Sequence, residues 1–254
     1  MHPRPSGIVT LLTDFGLADP YVGILKGALL RAAPKVTMVD LCHDVPPHDL
    51  VTGAFFVGAT IGRFPSGTVH VAVVDPGVGT ARALLAVAAH DNYWLGPDNG
   101  LLSPLWQPEG READVRQIDV DHLGLRPESR TFHGRDLLAP VAGWLAGGRF
   151  GFSALGPRFA PQQTLPAQAT PRVVHVDRFG NLITSLRAEP FATARGVRLG
   201  GRSIPRHGTY GDVPPGSLLA YVGSFGLVEV AQHGGSAARS LDLARGAPVE
   251  LLGP

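Results

Sequence analysis

One feature constrains this chain above all: through the first 150 residues, short apolar runs alternate with longer segments of helical period. Residues 8–15, IVTLLTDF, read as a buried strand rich in branched side chains. Asp19-Pro20 then reads as a helix start, a cap followed by proline at the first helical position, leading into YVGILKGALLRAAP. Residues 36–42 form the next strand, 48–64 carry apolar residues on a helical period, and 68–75 and 83–91 are two further strands. Residues 134–148 read as a later helix despite Pro140. This alternation predicts an α/β fold, with a mostly parallel central sheet flanked by helices.

The pattern changes near residue 157. Residues 157–171, rich in proline and glutamine and without periodicity, read as a linker after an N-terminal domain of residues 1–156. Beyond it the strand-like pieces VVHVDRF, NLITSL, LLAYVG, LVEVAQ and PVELL are separated by glycine-rich turns. They predict a smaller, mostly antiparallel C-terminal β domain over 172–254.

Composition removes several classes of function. Hydrophobic content of 44% with 17% charged residues describes a folded chain rather than a disordered one. A formal net charge of +1, with no block of lysine or arginine, argues against nucleic acid as a partner. The lone Cys42 allows no internal disulfide and suits a reducing cytoplasm. No apolar run reaches the roughly eighteen residues a membrane helix requires. Asp14 also interrupts the N-terminal run too early for a signal peptide. The expectation is a soluble, cytoplasmic protein with no membrane partner.

The chain has no GxxxxGK[ST], HExxH or GxSxG motif, and its ten histidines show no metal-ligand spacing. Neither a metal nor a bound cofactor is expected. Cys42-His43-Asp44 looks like a nucleophile cluster, but consecutive residues of an extended segment point to opposite faces, so Cys42 reads as structural. What stays is a set of carboxylates at the ends of apolar strands: Asp14, Asp44, Asp75 and Asp98. In open α/β sheets, ligands bind in the crevice outside the carboxyl ends of the strands. One such aspartate is ordinarily a turn or cap residue; several together suggest a polar pocket without naming its ligand. In VVDPGVGTAR, residues 73–82, a strand stops at Asp75, the chain bends at Pro-Gly-x-Gly, and Arg82 returns. An ion pair bracing the turn and a catalytic pair are both open readings of that loop.

Six segments occur in order: TDFGLADPYVG, VDPGVGTAR, GPDNGLL, TFHGRD, DRFGNLITS and GSFGLVEVAQHGGSAA. Together they resemble the signature segments of the S-adenosylmethionine hydroxide adenosyltransferases, hydrolytic relatives of the fluorinase and chlorinase enzymes. The resemblance runs over nearly the whole chain. It implies metal-independent hydrolysis of S-adenosyl-L-methionine to adenosine and L-methionine, by in-line attack of water or hydroxide at the ribose 5′ carbon, with no cofactor beyond the substrate. It assigns a catalytic triad to Asp75, Arg82 and His133. It further assigns the ribose diol to Asp14, the methionine ammonium to Asp19 and Asp177, and the adenine edge to Asn181. Phe179 would pack on the base, and Ser224 with the Phe225 backbone would take the methionine carboxylate. Asp19 also reads as a plain helix cap and Phe179 as a core residue. The resemblance implies a homotrimer, each site lying between the N-terminal domain of one subunit and the C-terminal domain of the next.

The sequence departs from the halogenating relatives at three positions. Asp75 stands where the fluorinase has a tyrosine, Val78 where it has a halide-contacting threonine, and His48 where an aromatic shields the halide. A carboxylate in that pocket repels halide. Halogenation is therefore a second expectation, and a module that binds S-adenosylmethionine or adenosine without turnover is a third.

Overall fold

Burial of the central strands on both faces explains why one sheet organises the first 165 residues. In the computed structural model, which describes residues 2–106, 113–165 and 170–253, residues 1–165 form one unit and 166–254 a second. The first unit holds strands β1 (Ile8–Thr13), β2 (Thr37–Cys42), β3 (Val69–Val73), β4 (Leu84–Ala89), β5 (Asn92–Pro97) and β6 (Asp114–Gln117). Val9 and Leu11 of β1 and Val69, Val71 and Val73 of β3 face one core; Leu12, Ala72 and Val74 face another. Successive side chains on a strand point to opposite faces, so a strand buried along its whole length serves two cores at once.

Helices cover both faces. Helix α1 (Tyr21–Ala32) packs with α3 (Ala139–Ala146) over the first core, where Leu25, Leu29, Val141 and Leu145 are fully buried. Helix α2 (Leu50–Thr60) places Val57 in the second core with Trp94 and Leu101. The sheet order is β2-β1-β3-β5-β4-β6, parallel from β2 through β5 and antiparallel at β5-β4 and β4-β6. The expected mostly parallel sheet is present. Its helix over 134–148 begins as a wider π turn at Gly134–Leu138, and Pro140 is accommodated in the first turn of α3, where a missing N–H costs nothing. At α1, Pro20 rather than Asp19 occupies the N-cap, without a side-chain cap bond, and Asp19 is exposed.

The stretch expected as a linker over 157–171 is tied to the first unit as far as Leu165. Gln162 and Gln163 donate backbone N–H to the Asp98 carboxylate, and Leu165 donates to Ser103 Oγ at 2.9 Å. Residues 166–169 lie outside the described residues.

The second unit contains β7 (Val173–Val176), β8 (Leu182–Arg187), β9 (Gly196–Leu199), β10 (Arg202–Pro205), β11 (Leu218–Val222), β12 (Leu227–Gln232) and β13 (Val249–Leu252). They form a four-stranded sheet, β11-β12-β8-β7, and a three-stranded one, β10-β9-β13, with every pairing between them antiparallel. Side chains of both sheets, among them Leu182, Val197, Ile204 and Val230, meet in one core.

Candidate active site

Sheet order fixes where a ligand can bind in the first unit. From β1 the chain passes to β2 on one side and returns through β3 on the other, with α1 and α2 on opposite faces. The crevice at such a reversal, outside the carboxyl ends of the strands, is the ligand site of open α/β sheets. Asp14 follows β1 directly and Asp75 stands two residues past β3. Both line a cavity of about 590 Å³, a volume suited to a small organic ligand, together with His48, Val78, His133 and Arg135.

The loop from Asp75 to Arg82 closes by short-range bonds: Val78 N–H donates to Asp75 O, and Thr80 Oγ1 donates to Gly77 O at 2.7 Å. Gly79 adopts φ +81°, and a Cβ there would lie 2.9 Å from the Arg130 carbonyl oxygen. Only glycine combines that backbone with that close approach. The bend thus seats the 75–82 loop against the segment that ends in His133.

Its product is a two-point ion pair. Arg82 Nε donates to Asp75 Oδ1 at 2.7 Å, and an Arg82 terminal nitrogen donates to Oδ2. Both side chains are buried, Arg82 5% and Asp75 7% exposed. The same terminal nitrogen lies 3.3 Å from His133 Nδ1. Arginine has no acceptor, so Nδ1 must accept and the ring proton belongs on Nε2. Burial, and after it the charge of Arg82, hold the His133 imidazole below its ordinary pKa against the opposing pull of Asp75 and Asp136. Asp75, Arg82 and His133 are therefore joined as one constellation, with Arg82 behind the two residues that line the cavity.

Asp14 is held in turn by the His48 backbone N–H, which donates to Oδ2 at 2.9 Å from a left-handed conformation of φ +66°. The remaining strand-end carboxylates go elsewhere. Asp98 is 3% exposed and binds the backbone of 162–163, and Asp44 is exposed and lines no part of the cavity. Cys42 Sγ accepts the Asp44 backbone N–H, a structural contact.

Residues 9–156 match the model of the SAM hydroxide adenosyltransferase N-terminal domain, and residues 171–250 that of its C-terminal domain. The chain belongs to the SAM hydroxide adenosyltransferase family. The "(R)-S-adenosyl-L-methionine hydrolase" of Thermus thermophilus is 43% identical over 257 residues, covering 96% of this chain and 99% of the relative. The fluorinase of Nocardia brasiliensis is more distant, 26% identical, with 96% of each chain covered. The crystal structure of a conserved protein from Thermotoga maritima superposes with a TM-score of 0.88 at 30% identity, covering 96% of this chain and 99% of that one.

In this adenosyltransferase chain, the second unit's candidate residues occupy two turns. Asp177 follows β7 and closes an Asx turn: Oδ1 accepts the backbone N–H of Phe179 and Asn181, and Oδ2 accepts Asn181 Nδ2 at 2.8 Å. Asn181 is 5% exposed, so one N–H of its amide is committed to Asp177. Phe179 is 77% exposed and is no core residue. Ser224 and Phe225 sit, exposed, in the tight turn between β11 and β12.

Sequence reasoning missed an aromatic wall. Phe15, Tyr21 and Phe132 line the cavity and meet edge to face, with centroids 5.6 to 6.2 Å apart. Each lies within a motif segment, Phe15 and Phe132 next to, and Tyr21 two positions from, a polar residue already singled out, and that proximity was the available signal.

Proposed function

We propose that the chain hydrolyses S-adenosyl-L-methionine to adenosine and L-methionine, by in-line attack of water at the ribose 5′ carbon. The observation that carries this reading is the Asp75–Arg82–His133 constellation, its ion pair buried, at the cavity of the sheet's reversal point, in a chain of the adenosyltransferase family. Curated relatives carrying the hydrolase name support it. Their name specifies the (R) compound, which makes the R-configured sulfonium the first substrate to test.

The chemistry asks little of an acid. Methionine leaves as a neutral thioether, so the sulfur needs no proton; the difficulty is holding a weak nucleophile opposite it. His133 Nε2–H can donate to the water, and Asp75, with both oxygens oriented by Arg82 and lone pairs to spare, can accept from it. A C–O bond forms as the C–S bond breaks, and the water's second proton passes to Asp75 and then to solvent. Asp14 would accept hydrogen bonds from the ribose diol, and Asp19 and Asp177 would face the ammonium group. Asn181 and Phe179 would take the adenine, and Ser224 with the Phe225 backbone the methionine carboxylate. The reading includes a homotrimer in which the second-unit residues come from a neighbouring subunit, no cofactor, and a cytoplasmic setting. Among the described residues no helix is long and apolar enough to cross a membrane. No group of three His, Cys, Asp or Glu residues there could hold a metal.

Halide is the poorer nucleophile for this cavity. Asp75 and Val78 line it, one turning only acceptor lone pairs toward the cavity and the other carrying no side-chain donor, so a halide finds no partner in either. The test is incubation with each sulfonium epimer in chloride-free water enriched in heavy oxygen, read by mass spectrometry, beside Asp75→Asn. Adenosine labelled at the 5′ oxygen, lost in the variant, is expected. Intact substrate recovered bound to the protein would sink the hydrolase reading in favour of a binding module.

A further inference from the structure

His43 is a buried, titratable side chain outside the constellation just described, 4% exposed, and its contacts lead to the cavity. Its Nδ1 lies 2.8 Å from Thr13 Oγ1, itself fully buried at the last position of β1. Thr13 Oγ1 in turn accepts the Phe15 backbone N–H at 3.3 Å. On the other side of the ring, Asp40 Oδ1 stands 3.1 Å from Nε2, in ion-pair range though not aligned as a hydrogen bond. Lys26 Nζ of α1 donates to the other Asp40 oxygen at 2.6 Å. Burial alone would raise the Asp40 pKa, but Lys26 and His43 outweigh it and hold the carboxyl below its ordinary value.

These contacts allow one consistent set of donors when the ring is neutral. A carboxylate beside Nε2 places the ring proton there, so Nδ1 accepts from the Thr13 hydroxyl, whose oxygen is left to accept from Phe15 N–H. The backbone repeats the clasp: Gly16 N–H donates to His43 O at 2.8 Å, and Val45 N–H to Thr13 O at 3.4 Å. Asp14 lies between the two ends of this clasp, one residue past Thr13, with its Oδ2 bonded to His48 N–H. A bulge creates the arrangement. The β1-β2 register steps from Leu11↔Asp40 to Leu12↔Cys42, leaving Leu41 extra. Such bulges re-aim the side chains that follow them.

We propose that His43 is a positioning residue for Asp14, holding the end of β1 through Thr13 so that the Asp14 carboxylate meets the ribose diol. Asp40 and Lys26 anchor the ring from the sheet edge. The proposal rests on the hydrolase reading for Asp14's ligand, and it adds that diol affinity depends on a residue that never touches substrate. A binding carboxylate needs a supporting shell to hold it within a fraction of an ångström.

The test is a double-mutant cycle on adenosine binding, measured by calorimetry with the full chain. The variants are Thr13→Val, which keeps the shape and removes the hydroxyl, Asp14→Asn, and both together. Thr13→Val alone is expected to weaken adenosine about tenfold and to raise KM with kcat held, but to add less than about twofold once Asp14 is Asn. His43→Leu should behave as Thr13→Val does, and His43→Asn, which keeps an acceptor near Nδ1, should recover most of the affinity. Independent, multiplying effects would assign Thr13 and His43 a merely structural role and overturn the proposal. A silent Asp14→Asn would remove both the diol assignment and the relay. Wild-type protein that binds adenosine but releases no methionine would sink only the hydrolase reading, and the cycle would still be readable from binding.

Discussion

His70 makes the first unit acid-sensitive by an amount that can be worked out. The ring sits inside β3, 1% exposed, stacked on Trp94 at 4.0 Å and 24°, with Nδ1 on Thr10 Oγ1 at 2.7 Å and Nε2 without a partner. Burial pushes its pKa down to about 3. The folded pKa is depressed for a base, so the unfolded chain binds the proton first. Stability is fully present above the unfolded value of about 6.5 and is lost as pH falls from there toward 3. Each pH unit in that window costs about 1.4 kcal/mol, so moving from about pH 7 to pH 5 should remove about 2 kcal/mol through this residue alone. Because pH 5 lies well above the folded value, that figure depends almost entirely on the unfolded one. The assay is urea unfolding followed by tryptophan fluorescence; Trp94, Trp106 and Trp144, all the tryptophans of the chain, lie in the first unit. Wild type is compared with His70→Phe, which keeps a ring on Trp94 and removes the titration. The variant will differ in stability at neutral pH, because Thr10 loses its partner, but the difference of differences cancels that. An acid loss in wild type exceeding the variant's by less than about 0.5 kcal/mol would refute the assignment of a neutral, dry His70.

Three further outcomes are expected. Gly79→Ala places a Cβ in a left-handed backbone and against the Arg130 carbonyl, so it should cost about 1–3 kcal/mol in urea unfolding and lower kcat by displacing Arg82. An unchanged kcat would separate the bend from the chemistry. Asp98→Ala removes the buried carboxylate that accepts the Gln162 and Gln163 backbone N–H groups and should destabilise the first unit by about 1–3 kcal/mol while leaving KM unchanged, since Asp98 is outside the cavity. For His133, burial and Arg82 lower the pKa, so the neutral ring persists further into acid than a free histidine. The acid limb of kcat/KM assigned to it, by its loss in His133→Gln, should fall below pH of about 6.5; a limb above that value would contradict the electrostatics of the site.

What the sequence disclosed and what it withheld divide along physical lines. Strands buried on both faces and mostly apolar, such as β1 and β3, were readable as continuous runs, and the residues past their carboxyl ends, Asp14 and Asp75, do line the cavity. Asp98 carries the same signature at the end of β5 but serves backbone groups at 162–163, a pairing over more than sixty residues that local pattern cannot reveal. Strand β5 itself was unread because its hairpin turn is disguised. His90 and Asp91 both adopt positive φ, 52° and 59°, in the two-residue link that asparagine and glycine usually supply. The β9-β10 link uses Gly200-Gly201 in the same way, yet those strands are four residues each, β9 buried at three positions and β10 exposed at three, too short for a period to stand out. The His43 relay was hidden for another reason. Its members, Thr13, Lys26, Asp40 and His43, come from β1, α1, β2 and the segment after β2, and a bulge at Leu41 breaks the alternation that would have assigned their faces.

The loop of residues 75–82 finally makes sense in terms of charge. On the proposed reaction the substrate arrives with a full positive charge on sulfur and loses it on the way to the transition state. An unpaired buried carboxylate beside that sulfonium would hold the ground state more tightly than the transition state, and uniform or preferential ground-state binding adds nothing to kcat. Arg82, taking both oxygens of Asp75, cancels the net charge of the pair while leaving the carboxylate's remaining lone pairs to orient water. His133, held below its ordinary pKa, contributes a donor without adding a second cation. A neutral constellation that still offers one acceptor and one donor is what an incoming water needs opposite a departing thioether. That requirement explains why a strand ends on a charge, why the chain must turn at Gly79, and why an arginine follows.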